Sequence, residues 1–176
     1  MKPQLSHVGI YVTDSDAMIR FYQEVLGLTV TDRGISTSSK LPITFMSSSA
    51  TQHHQFVLVQ GRADGTPSTI NQLSFKVESL KELREVANQV AARGLKMRQT
   101  SHGNAWSIYF PDPEGNFVEI YLDTPWHIAQ PHGDPLDLSL SDEAIHAQTE
   151  KIVRADPTFK MRAAREAELA QRLSQQ

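Results

Sequence analysis

The chain contains no cysteine. That excludes a disulfide framework and any thiolate metal site, so a bound metal must take nitrogen and oxygen ligands. Long apolar runs are also missing, and no window approaches the roughly 20 residues a membrane span needs. The opening MKPQLSHVGIYV has neither the apolar stretch nor the small-residue cleavage site of a secretion signal. No basic block stands out in a sequence of formal net charge -3, which argues against a nucleic-acid groove. What is present, 176 residues with 39% hydrophobic and 21% charged content, fits a soluble, cytoplasmic globular protein of about one domain. Neither nucleic acid nor membrane is expected as a partner.

The sequence repeats itself. HVGIYVTDSDAMIRFYQEVLGL, from His7, overlays QLSFKVESLKELREVANQVAARGL, from Gln72, at an offset of 65 residues. Each begins with an alternating strand: Val8, Ile10 and Val12 oppose His7, Gly9 and Tyr11, while Leu73, Phe75 and Val77 oppose Gln72, Ser74 and Lys76. Asp14 is placed to cap one following helix, and Ser79 with Glu82 forms a capping box for the other. Gly27 and Gly94 end the two helical stripes. The unit endings QFVLVQ and NFVEIY overlay at an offset of 61, with room for two further strands in each half, near 28–33 and 42–47 and near 96–100 and 105–110. The expected fold is therefore α+β: two tandem βαβββ units (about 5–61 and 70–122) forming a curled mixed sheet around a metal cavity. These make up a domain over 1–123, and 124–176 form a proline-rich arm and C-terminal helices.

The overlay pairs His7 with Gln72 and Leu58 with Glu119. If a twofold axis relates the halves, these four point into one cavity, and all but Leu58 can ligate a metal. Glu119 lies within an apolar strand, where an ionised carboxylate costs several kcal/mol unless partnered. Its plainer alternative is a solvent-facing strand carboxylate, which the pairing with His7 and Gln72 disfavours. His7 alone reads as a structural histidine, and Gln72 alone is an ordinary strand glutamine. His54 shares parity with Phe56 and Leu58, which aims it at the cavity. His102 opens an HGN loop, and Tyr109 alternates with Ile108 and Phe110. PDPEG, from Pro111, is a turn. His127, His132 and His146 have no partner spacing and are expected on the surface.

These residues resemble the vicinal oxygen chelate superfamily, which includes glyoxalase I, bleomycin- and fosfomycin-resistance proteins and type I extradiol dioxygenases. The resemblance covers roughly residues 5–122, with FYQEVLGL in the first helix. The order His102, Ile108, Tyr109, Asp112, Pro113, Gly115, Glu119 is similar to the extradiol dioxygenase signature. It implies His7 and Glu119 as iron ligands, with Gln72 where the family carries a third, histidine ligand. It also implies His54 as the acid–base and His102 and Tyr109 as groups contacting the bound diol. The function so implied is Fe(II)-dependent extradiol cleavage of a catechol-like diol with dioxygen, with Mn(II) or Zn(II) as other possible metals. The alternatives are a glyoxalase-like metal-dependent lyase or isomerase and a metal-free small-molecule-binding protein. A glyoxalase would use four ligands, and Leu58 argues against that.

Prolines 125, 131 and 135 rule out a helix just beyond the repeat and suggest an extended arm. Ser141 could cap a helix over 142–155, and a charge-rich helix is expected from about 160 to 173. These helices would cover the sheet or clasp a second subunit in a homo-oligomer; the alternative is a partly frayed surface tail.

Overall fold

In a computed structural model, which describes residues 3–175, the chain forms two compact units. The first takes the chain up to Asn71 together with Pro111–Phe117, and the second takes Gln72–Phe110 and the chain from Val118 onward. The first repeat folds as β1 (Val8–Val12), α1 (Ser15–Leu26), β2 (Thr29–Ile35), β3 (Pro42–Ser47) and β4 (Phe56–Gln60). The second follows as β5 (Gln72–Lys76), α2 (Leu80–Ala92), β6 (Arg98–Ser101), β7 (Ala105–Pro111) and β8 (Phe117–Asp123). Beyond it lie β9 (Trp126–His127), β10 (Asp134–Pro135), α3 (Asp142–Ala155), β11 (Lys160–Met161) and α4 (Arg162–Ser174). The fold is α+β, as the repeat predicts, and no sheet closes into a barrel.

The first unit's sheet runs β1-β4-β3-β2 and is mixed, because β1 and β4 pair in parallel and the other pairs are antiparallel. Asp14 Oδ1 accepts from Ala17 N at 2.9 Å to start α1, and Gly27, at φ 67°, ends it in the left-handed region. The buried stripe of α1 is Met18, Ile19, Tyr22 and Val25. The Tyr22 ring stacks 4.6 Å from Phe56, and Ile10, Val12, Met46 and Leu58 complete this core.

The PDPEG turn belongs to this unit and is tied to the start of α1. Glu114 Oε1 accepts from Thr13 N (2.6 Å) and Asp14 N (2.9 Å), and Arg62 pairs with Oε2 at 3.2 Å. Asp112 accepts from the Glu114 and Asn116 amides and from the Tyr22 hydroxyl. Burial raises the Asp112 carboxyl above the usual carboxylate range.

Register corrects one expectation. Leu58 stands opposite Ile10 on β1 and Thr44 on β3, so it joins the buried face against α1 and not the face of His7. The residue on the His7 face is Val57, opposite Gly9. In the second unit Glu119 shares a face with Gln72 and Ser74, so its counterpart is Val57 and the overlay at 61 is one residue short. A one-residue slip exchanges the two faces of a strand, and FVLV has no polar residue to mark which is which.

The second unit's sheet runs β10-β6-β7-β8-β5. Ser79 Oγ accepts from Glu82 N at 3.2 Å and Glu82 Oε2 accepts from Glu78 N at 2.7 Å, which fixes the start of α2. Arg84 on α2 donates to the Leu138 and Leu140 carbonyls, both at 2.8 Å, and meets Asp142 at 2.6 Å. The C-terminal extension is thus pinned to this unit. Trp106 Nε1 donates to Thr149 on α3 at 2.8 Å, and Trp126 and Ile128 are buried. Of the tail histidines, His146 is exposed on α3 as expected, with its ring against Trp106, whereas His127 and His132 in the arm are partly buried. An irregular arm has no periodicity to reveal the surroundings of those two.

Candidate active site

In the first unit, alternation along β1 leaves Tyr11 60% exposed and Val12 fully buried, so the chain presents His7, Gly9 and Tyr11 on the open face. His7 Nδ1 lies 2.8 Å from Ser6 Oγ, and among the described residues no hydrogen bond takes Nε2. The His54 ring stacks edge-on to His7, with centroids 4.4 Å apart, and 5.0 Å from Phe45. The parity expected of His54 does not hold, since β4 begins only at Phe56. His54 reaches His7 because the chain bends over residues 53–55. His53 and His54 meet Nδ1 to Nδ1 at 2.9 Å. Burial, then the adjacent His7 and His53, push the His54 imidazole below its ordinary value, which keeps it neutral and able to accept a proton.

In the second unit, Glu119 is 8% exposed and accepts from three side chains. Gln72 Nε2 (2.9 Å) and Ser74 Oγ (2.5 Å) donate to Oε2. The Tyr109 hydroxyl donates to Oε1. Hydrogen bonds to a charged group contribute about 1.5–3 kcal/mol each, enough to offset the several kcal/mol of burying the carboxylate. Burial first, then the bond to Glu119, push the Tyr109 hydroxyl up to about 12. His102 continues the line, with Nε2 2.8 Å from the Tyr109 hydroxyl and Nδ1 2.6 Å from the His132 carbonyl.

A carbonyl only accepts, so His102 Nδ1 donates to His132, and Nε2 faces the Tyr109 hydroxyl.

The line opens on a cavity of about 400 Å³ whose lining includes Ser74, His102, Tyr109, Glu119, Tyr121 and Gln130. Sequence reasoning missed Ser74, though its alternation with Gln72 could have found it. It also missed His132, whose backbone carbonyl gives no sequence signal.

Among the described residues no three His, Cys, Asp or Glu side chains gather around a point. The individual donors nevertheless suit a divalent cation. Glu119 Oε1 accepts one hydrogen bond and keeps a second lone pair, the Gln72 carbonyl oxygen is not used toward Glu119, and no hydrogen bond among the described residues takes His7 Nε2. An imidazole, a carboxylate and an amide oxygen are donors that Fe(II), Mn(II) and Zn(II) accept.

The model of the Glyoxalase/Bleomycin resistance protein/Dioxygenase superfamily matches residues 4–120. The chain belongs to this superfamily. Biphenyl-2,3-diol 1,2-dioxygenase 3 of Rhodococcus globerulus is 27% identical over 128 residues, 69% of this chain and 64% of that enzyme. Biphenyl-2,3-diol 1,2-dioxygenase 2 of the same organism is 24% identical over 166 residues, 84% of each chain. Among solved structures, the fosfomycin resistance protein FosX from Listeria monocytogenes, complexed with Mn(II) and sulfate, has a TM-score of 0.55 at 22% identity. The match covers 70% of this chain and 95% of that one, and it supports the fold. Proteins similar to this chain thus include dioxygenases by name and a fosfomycin resistance protein that is complexed with Mn(II).

Proposed function

We propose that this superfamily member is a metal-dependent, extradiol-type dioxygenase of a catechol-like vicinal diol. The observation that carries the reading is the Glu119–Tyr109–His102 line, a buried carboxylate joined through a phenol to an imidazole at the edge of a cavity. The two Rhodococcus dioxygenases, which act on biphenyl-2,3-diol, support the reaction class. His7, Gln72 and Glu119 are the proposed metal ligands, with Fe(II) first and Mn(II) or Zn(II) as alternatives. When bound, the metal supplies Lewis acidity to the two diol oxygens and the redox capacity that dioxygen chemistry requires.

The chain's own groups supply the proton chemistry. His54 is held at Nδ1 by His53, so Nε2 is the ring nitrogen that takes a proton from the diol. Tyr109 and His102 stand at the edge of the cavity, where they can hydrogen-bond a substrate oxygen on which charge develops. Tyr109 fixes the position of Glu119 Oε1, and Gln72 and Ser74 fix Oε2.

One observation favours a second reading, a metal-free small-molecule-binding protein: Gln72, Ser74 and Tyr109 already satisfy the Glu119 carboxylate. Anaerobic iron loading followed by oxygen uptake with a catechol decides between them. Iron-dependent uptake supports the enzyme, and a chain that takes up no metal supports the binding protein.

A further inference from the structure

β6 and β7 pair so that Arg98 stands opposite Tyr109, and both side chains emerge on one face of the sheet. The Arg98 guanidinium lies over the Tyr109 ring, 4.5 Å from its centroid. Arg62, Arg84, Arg154, Arg162 and Arg165 each meet a carboxylate. Among the described residues no ion pair or hydrogen bond engages the Arg98 side chain. Stacking uses the flat face of a guanidinium and leaves its in-plane N–H donors free, in a fork that fits the two oxygens of a carboxylate.

This unpaired cation borders a cavity of about 540 Å³, lined also by Gln99, Thr100, His102, His132 and Asp134. Asp134 is the acidic side chain of this wall, and His132 Nε2 lies 2.7 Å from its carboxylate, so it does not compensate Arg98. His102 lines both this cavity and the one holding Tyr109 and Glu119. A ligand at the Glu119 line therefore has an oriented, uncompensated positive charge beside it, on the same face of the same sheet.

We propose that Arg98 is a specificity-determining residue and that the substrate carries an acidic group, a carboxylate on the ring or on a short side chain, which the Arg98 guanidinium binds. This names a substrate class for the site and rests on the diol reading above. Stacking on Tyr109 holds the guanidinium in place before the ligand arrives, which lowers the ordering cost of binding.

The test is isothermal titration calorimetry with three probes: catechol, a dihydroxybenzoate with the same diol plus a carboxylate, and benzoate, which has the carboxylate alone. Each is measured on metal-free protein and on Fe(II)-loaded protein kept anaerobic. Wild type is expected to bind the dihydroxybenzoate about ten-fold more tightly than catechol, the scale of one charge-assisted contact. Arg98→Gln should bring that ratio close to one, and Arg98→Lys should keep part of it, as a point charge without the fork. A wild-type ratio near one, an unchanged ratio in Arg98→Gln, or no binding of any acidic probe overturns the proposal. Benzoate separates the two ideas. Arg98-dependent benzoate binding with no diol oxidised upholds the acid site and sinks the dioxygenase reading, whereas diol cleavage without any Arg98 dependence does the reverse.

Discussion

Replacing Tyr109 by phenylalanine removes one hydroxyl and almost no volume, yet two hydrogen bonds disappear together. Glu119 Oε1 loses its donor and His102 Nε2 loses its partner. Glu119 is 8% exposed and Tyr109 9%, so water replaces the hydroxyl only in part, from the adjoining cavity. A hydrogen bond to a charged group contributes about 1.5–3 kcal/mol, and a stranded buried polar group costs about 1–3 kcal/mol. With partial rewetting, the expected loss is about 2–3 kcal/mol in urea unfolding, with the m-value unchanged. Ser74→Ala is the internal control, because Oε2 keeps its bond from Gln72, and about 1 kcal/mol is expected there. The pH dependence adds a second readout. The folded protein holds the Tyr109 proton more tightly than the unfolded chain, up to about 12 against an ordinary 10.0. That contribution is therefore complete below about pH 10 and is lost as pH rises toward 12, and Tyr109→Phe should remove this part of the alkaline slope. A loss below about 0.5 kcal/mol, or a greater loss in Ser74→Ala, would refute the reasoning.

Two further substitutions probe what holds the units together internally. Glu114→Ala strips the acceptor from the Thr13 and Asp14 amides and leaves the poorly exposed Arg62 without its carboxylate. A stability loss of about 3 kcal/mol is expected, with Glu114→Gln clearly milder because its amide oxygen still accepts; equal losses would contradict the charge argument. Gly103→Ala places a methyl 2.6 Å from Ile128 Cδ1 and 2.9 Å from Val153 Cγ1, at φ +75°. Strain and overpacking together should cost about 3 kcal/mol in thermal or urea unfolding, and a loss under about 1 kcal/mol would show that α3 gives way more easily than its packing implies.

The sequence made the βαβββ units readable because each element carries a local physical marker. Asp14, and Ser79 with Glu82, bond to the helix-start amides expected of them, and Gly27 and Gly94 take the left-handed backbone that ends a stripe. The helix over Asp142–Ala155 follows its Ser141 cap. Glu119 stood out because a carboxylate between Val118 and Ile120 demands partners, but their identity, Gln72, Ser74 and Tyr109, depends on strand pairing across 45 or more residues for the first two. Leu58 was misplaced because an all-apolar strand shows no face. His132 and Arg98 escaped notice because one acts through its backbone and the other through a cross-strand partner, neither of which leaves a periodic trace.

The proposed reaction uses a bound metal to oxidise a diol. The most direct test loads the wild-type protein with Fe(II) anaerobically, removes unbound iron, adds a dihydroxybenzoate and oxygen, and follows oxygen consumption. His7→Ala and Glu119→Ala are measured for iron content in parallel. The account predicts bound iron in the wild type and little in either variant, with oxygen uptake matching loss of the diol. Iron retained equally by all three proteins, or iron bound with no oxygen consumed on any diol tried, would contradict it.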